Sequence, residues 1–94
     1  MSTFKMNKYG IVLTGREYGK NAAVEIFSSL QLPEGFDFAG VASMGSSFGD
    51  EIFKLGASKG IKKFSIFSAN KVVQASLHQI QKDLGLVFEY ASPP

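Results

Sequence analysis

Between Phe36 and Leu55 the chain changes its period once, and that change limits the folds open to it. Phe36 and Phe38 alternate with Asp37 and Ala39, the two-residue repeat of a half-buried strand, which reads from Phe36 to Val41. Small residues follow from Ala42 to Ser47. Phe48, Ile52 and Leu55, with Phe53 beside them, then recur at the spacing of one helical face. A helix is expected to begin near Ser47 or Phe48, with Ser47-Phe48-Gly49-Asp50 as a cap-like start and Gly56 or Gly60 as its end. Asp50 and Glu51 fall in its first turn, where the helix dipole favours negative charge. The serines Ser46 and Ser47 would then stand at the end of a helix whose first amides have no partner within the helix.

The flanking sequence repeats this alternation. Met1 to Asn7 and Ile11 to Leu13 read as two short strands around a Lys8-Tyr9-Gly10 turn, a β-hairpin. Thr14-Gly15-Arg16-Glu17 fits a capping box opening a helix to about Leu30, with Ala23, Ile26, Phe27 and Leu30 on one stripe. Gly19 weakens the early turns of that helix, which fits either a tolerated imperfection or close approach by another backbone or a ligand. Gln31 to Gly35 is a loop. Lys62 to Ser68 is a core strand, with Phe64, Ile66 and Phe67 buried between flanking layers. Asn70 is placed to cap a helix over Lys71 to Leu84, whose Val73, Leu77, Ile80 and Leu84 form a clean stripe. Gly85 terminates it, Leu86 to Tyr90 adds a last strand, and Ala91 to Pro94 frays.

Strands that alternate with helices imply parallel pairing by right-handed crossovers. The expected fold is α/β: a mixed sheet of about five strands, with a parallel core and an N-terminal hairpin, covered by about three helices. A chain of 94 residues with 45% apolar content and nine Phe is one small folded domain. Cysteine is absent, which removes disulfides and thiol chemistry and suits a reducing cytoplasm. The net charge is +2, and the basic residues are scattered apart from Lys59, Lys62 and Lys63, so no nucleic-acid face is expected. No apolar run approaches the roughly 20 residues of a membrane span. A cytoplasmic protein without a cofactor is the expectation.

Asp37-Phe38-Ala39-Gly40-Val41, followed by Met44-Gly45-Ser46-Ser47-Phe48-Gly49-Asp50-Glu51, resembles the STAS domain of sulfate-transporter tails and anti-sigma-factor antagonists. It resembles more closely the STAS-like family of bacterial proteins, with its Asp-Phe-x-x-Val strand, serine-rich turn and Ser-Phe-x-Asp-Glu helix start. Gly15-Arg16-Glu17-Tyr18-Gly19 and Ala69-Asn70-Lys71-Val72-Val73 resemble further segments of that family. The likeness runs from about Leu13 to Leu84. It implies a regulatory protein-interaction module whose partner is a GHKL-type ATPase or kinase, or a sigma-regulatory protein. In anti-sigma antagonists a serine in this turn is phosphorylated. Ser46 takes the corresponding place, with Ser47 second, but Gly45 stands where the acidic residue is expected and Phe48-Gly49-Asp50 replaces Gly-Leu-Gly.

The residues themselves admit plainer roles. Ser46 and Ser47 suit helix capping, Asp50 and Glu51 suit dipole partners, and His78 suits an exposed helical position. Arg16 is placed to pair with Asp37 or Asp50 or to meet a partner. The partner surface is expected at Ser46, Ser47, Phe48, Asp50 and Glu51, flanked by Arg16 and Asn70. Two other functions use the same turn: an anion pocket in a small ligand- or nucleotide-binding domain or enzyme, and a phage or mobile-element inhibitor acting by surface contact. Self-association through a sheet edge is compatible with each.

Overall fold

The structure, a computed structural model, describes residues 3–28 and 32–91. The expected helix end at Leu30, the start of the loop at Gln31, and the terminal residues Met1, Ser2 and Ser92 to Pro94 lie outside that description. Among the described residues, strands β1 (Thr3–Lys5), β2 (Val12–Leu13), β3 (Gly35–Asp37), β4 (Ser43–Met44), β5 (Lys63–Phe67) and β6 (Val87–Ala91) alternate with helices α1 (Arg16–Ile26), α2 (Ser46–Ser58) and α3 (Lys71–Leu84). The fold is α/β, as the alternation of periods requires.

β1, β3, β5 and β6 form a parallel sheet in that order. Phe4 stands opposite Phe36, Phe36 opposite Ile66, and Ile66 opposite Tyr90, while Phe64 stands opposite Phe88. These rows face the helices. Phe36, Phe53, Phe64 and Phe88 stack with centroids 4.8–6.0 Å apart, in the tilted and edge-on geometries that aromatic quadrupoles favour. Ala22, Ala23 and Ile26 of α1, Ile52 of α2, and Val73, Leu77 and Ile80 of α3 close the same core.

Strand order rises steadily across the sheet, so right-handed crossovers return every helix to one face. The other face carries exposed Thr3, Lys5, Lys63 and Glu89, with Lys63 and Glu89 paired at 3.3 Å. Phe64 and Ile66 are buried under the helices. Phe67, expected between flanking layers with them, is buried but points to the opposite face and stands apart from the main core.

The expected hairpin does not form. β1 pairs parallel with β3, and β2 pairs parallel with β4 in a separate two-stranded sheet, so no antiparallel ladder occurs among the described residues. The reason lies between the strands. Met6–Tyr9 coils into a 3₁₀ turn that buries Met6, and its Tyr9 is fastened to α1. The Tyr9 hydroxyl donates to Glu25, the Tyr18 hydroxyl donates to the Tyr9 carbonyl at 2.6 Å, and the Tyr9 ring stacks on Phe4. A segment anchored on a helix cannot fold back beside β1.

The helix ends also differ from expectation in places. α1 has Gly15 as its N-cap with no side-chain bond, so Thr14 and Glu17 form no capping box. Of the two glycines expected to end α2, Gly56 lies inside it, where an added Cβ would sit 2.9 Å from the Phe27 and Phe64 rings. The helix runs to Ser58, and Gly60, at positive φ just past the Lys59 cap, ends it, its amide donating to the Ala57 carbonyl at 3.0 Å. The last helix follows the sequence closely. The Asn70 side chain accepts from the Val73 amide at 2.8 Å, and Gly85 adopts the left-handed conformation at its end.

Candidate functional site at the start of helix α2

The segment that delivers α2 is held residue by residue. Asp37, at the end of β3, accepts from the Ala39 amide at 2.9 Å, and the Val41 amide reaches back to the Phe38 carbonyl at 3.0 Å. The chain then passes β2. The Ala42 amide donates to the Ile11 carbonyl at 2.8 Å and the Gly45 amide to the Leu13 carbonyl at 2.7 Å. α3 braces the other side: Asn70 Nδ2 donates to the carbonyls of Val41 and Ala42 at 3.3 and 3.0 Å, and the Ser76 hydroxyl donates to the Met44 carbonyl. Asn70 thus caps its own helix and ties the turn to it.

α2 starts at Ser46, with Gly45 as its N-cap and no side-chain cap bond among the described residues. The expectation that Ser46 or Ser47 caps the helix is therefore corrected: both are inside the first turn, Ser46 exposed and Ser47 half-buried. Asp50 and Glu51 move with them. They fall past the first turn, which holds no acidic residue.

Arg16, the first residue of α1, is half exposed and donates to Asp50 Oδ2 at 3.1 Å and to Glu51 Oε2. Lys54 Nζ donates to the same Glu51 oxygen at 3.1 Å. Of the pairings expected for Arg16, Asp50 is found and Asp37 is not. Adjacent helical residues diverge by about 100°, yet the long guanidinium spans both carboxylates. Glu51 is only 6% exposed. Burial pushes its carboxyl pKa up, but the hydrogen bonds from Arg16 and Lys54 outweigh this and hold it below the ordinary carboxylate value. The bonds to Glu51 and Asp50 push the Arg16 guanidinium pKa up.

Two residues expected at the partner surface are not on it. Phe48 is 0% exposed, its ring against Tyr18 and Tyr9, and Glu51 is buried in its ion network. Both serve the packing of α2 on α1. Two residues not expected there are on it: Ile11 is 66% and Val12 59% exposed. Of the run Ile11-Val12-Leu13, expected as a short strand, only Leu13 is buried, because β2 is two residues long and only its second side chain turns inward. Val72, in the first turn of α3 beside Asn70, is also exposed.

No protein-family model, curated protein or solved structure matches the chain. What the surface can do follows from its own chemistry. Ser46, Ser47 and Asp50 stand on the first turns of α2 and Arg16 reaches Asp50, while Asn70 holds the Val41 and Ala42 carbonyls ahead of that helix. Exposed Val12 of β2 pairs beside Ser43, with exposed Ile11 just before it in the chain. No three His, Asp or Glu side chains gather into a metal-holding group among the described residues. His78 is exposed on α3, its ring edge-on to Tyr90 at 5.9 Å. No helix is long and apolar enough to cross a membrane among the described residues.

Proposed function

We propose that the chain is a STAS-like regulatory interaction module, without catalysis of its own, that binds a GHKL-type ATPase or another regulatory protein through the start of α2. The observation that carries this reading is exposed Ser46 on a helix start whose glycine N-cap brings no side-chain bond, preceded directly by the Ser43–Met44 strand that pairs with exposed Val12, with exposed Ile11 next to it in the chain. Apolar side chains beside unpaired amides suit a protein surface, where apolar contacts supply affinity and backbone donors set register. The α2 start is fixed from three sides, by α1, β2 and α3, so little ordering entropy opposes docking.

The anion-pocket reading is weaker on the same geometry. The Arg16 guanidinium is already shared between two carboxylates, so a phosphate at Ser46 would have to displace them. That competition also supplies a switch. Phosphorylated Ser46 would place a dianion four residues before Asp50, on the same helix face, contesting Arg16 and changing the charge offered to a partner.

Affinity capture from the native cell tests the reading. A specific regulatory protein should be retained by the wild-type chain and lost with Val12→Asp or Ser46→Asp, both exposed positions. Equal retention by both variants would remove the reading.

A further inference from the structure

α1 and α2 leave a groove on their outer side that the α2 start does not use. Gly19 meets the Phe48 backbone and Gly56 meets the tip of the Phe27 ring, so the helices run side by side, with backbones touching at the first place and a side chain between them at the second. Between those contacts buried Ala23 is the floor. Val24, 66% exposed, and Leu55 are the walls of a mostly apolar groove of about 420 Å³.

Its charge is one-sided. Glu51 lines the groove, but its carboxylate is taken by Arg16 and Lys54. Lys20 rises on the α1 wall and forms no ion pair among the described residues, and Lys54 rises on the α2 wall, its side chain more than half exposed with one donor on Glu51, so the lining carries a net charge of +1. An apolar trough with a cation on each bank fits the side chains of a third helix laid along it, and asks for acidic residues on that helix's flanks.

We propose that this groove docks an acidic amphipathic helix of a protein partner: apolar side chains over Ala23, Val24 and Leu55, carboxylates against Lys20 and Lys54. This surface is separate from the α2 start, and either can fail without the other.

The test titrates the ¹⁵N-labelled full chain with a helical peptide of about four turns that carries Leu at i, i+3 and i+7 and Glu on both flanks. A matched peptide with Lys for Glu, and vesicles of phosphatidylserine and phosphatidylcholine, are the other arms. The expected result is saturable amide shifts at Lys20, Ala23, Val24 and Leu55 with the acidic peptide alone. Lys20→Glu and Val24→Glu, at exposed positions that leave the core intact, should each weaken it about tenfold, the size of a lost contact of this kind. No groove shifts up to about 1 mM, the weak limit of useful affinity, would overturn the proposal. So would equal binding of the basic peptide, or groove shifts with vesicles alone, which would make the surface a lipid contact.

Discussion

Gly19 lies against the backbone of Phe48. A Cβ built on Gly19 would sit 2.5 Å from the Phe48 carbonyl oxygen and 3.0 Å from its Cα. This contact sets the spacing of α1 and α2 near the candidate site, and a backbone oxygen in a helix cannot swing aside as a side-chain tip can. Gly19→Ala should therefore destabilise the protein by about 2–3 kcal/mol, although alanine is the better helix former. Thermal unfolding should show a fall in Tm of roughly 10 °C or more for a domain of this size. An unchanged or raised Tm would mean the helices part freely here.

Phe48 supplies the matching test of what is core. It is fully buried, so Phe48→Ala should cost about 3–5 kcal/mol in urea unfolding, as a large core deletion does. Any loss of partner binding in that variant would follow from lost stability, which is why Val12 and Ser46 are the informative positions for binding. A Phe48→Ala protein as stable as wild type would contradict the packing.

The Glu51 carboxyl titrates below its ordinary value of 4.5 in the folded chain, because Arg16 and Lys54 outweigh burial. A depressed folded pKa stabilises the protein above 4.5 and loses that contribution as pH falls through the folded value. Glu51→Gln should therefore be less stable than wild type at neutral pH, with the gap closing in acid. Arg16→Ala should behave the same way, since it removes the first hydrogen bond that holds Glu51 ionised. Urea unfolding across the acid range measures both, and a gap that stays constant or widens in acid would be the contrary result.

Asn70 separates a cap from a brace. Asn70→Asp keeps an oxygen for the Val73 amide but loses the donor that holds the Val41 and Ala42 carbonyls, whereas Asn70→Ala loses both. The alanine variant should lose about 1–2 kcal/mol, as N-cap deletions do. The aspartate variant should keep the helix and speed amide hydrogen exchange at Ala42 and Ser43. Unchanged exchange there would remove Asn70 from the mounting of the site.

These particulars show which parts of the chain the sequence discloses. α3 was legible from cap to terminator because an apolar stripe, an Asn and a Gly agree locally at its ends, and no distant contact overrides them. The helix after the serine turn was legible because the change of apolar spacing marks it, whereas at Gly19 the sequence left close approach and a tolerated imperfection both open, and the Phe48 backbone decides for the first. The N-terminal strands were misread because Ile11-Val12-Leu13 looks the same in a hairpin and in a two-residue parallel pair, and what decides is Tyr9 reaching Glu25, sixteen residues away. The α2 start slipped by one or two residues because Gly45 can cap without a side chain. That slip moved Asp50 and Glu51 out of the first turn and left their real partner, Arg16, half resolved. Phe48 was expected at the partner surface and is buried, and exposed Val12 was not expected there, because the spacing on one element fixes which side chains share a face, but not which face another element covers.

Site-specific photo-cross-linking tests the central proposal most directly. A benzoyl-phenylalanine would be placed in turn at Val12, Ser46 and Val72, exposed positions on β2, α2 and the first turn of α3, and at Lys63 on the opposite face of the sheet. In the native cell, the proposed interaction surface gives one and the same cross-linked protein from Val12, Ser46 and Val72, and none of it from Lys63. Cross-linking of a partner from Lys63 with silence at Val12 and Ser46 would contradict it.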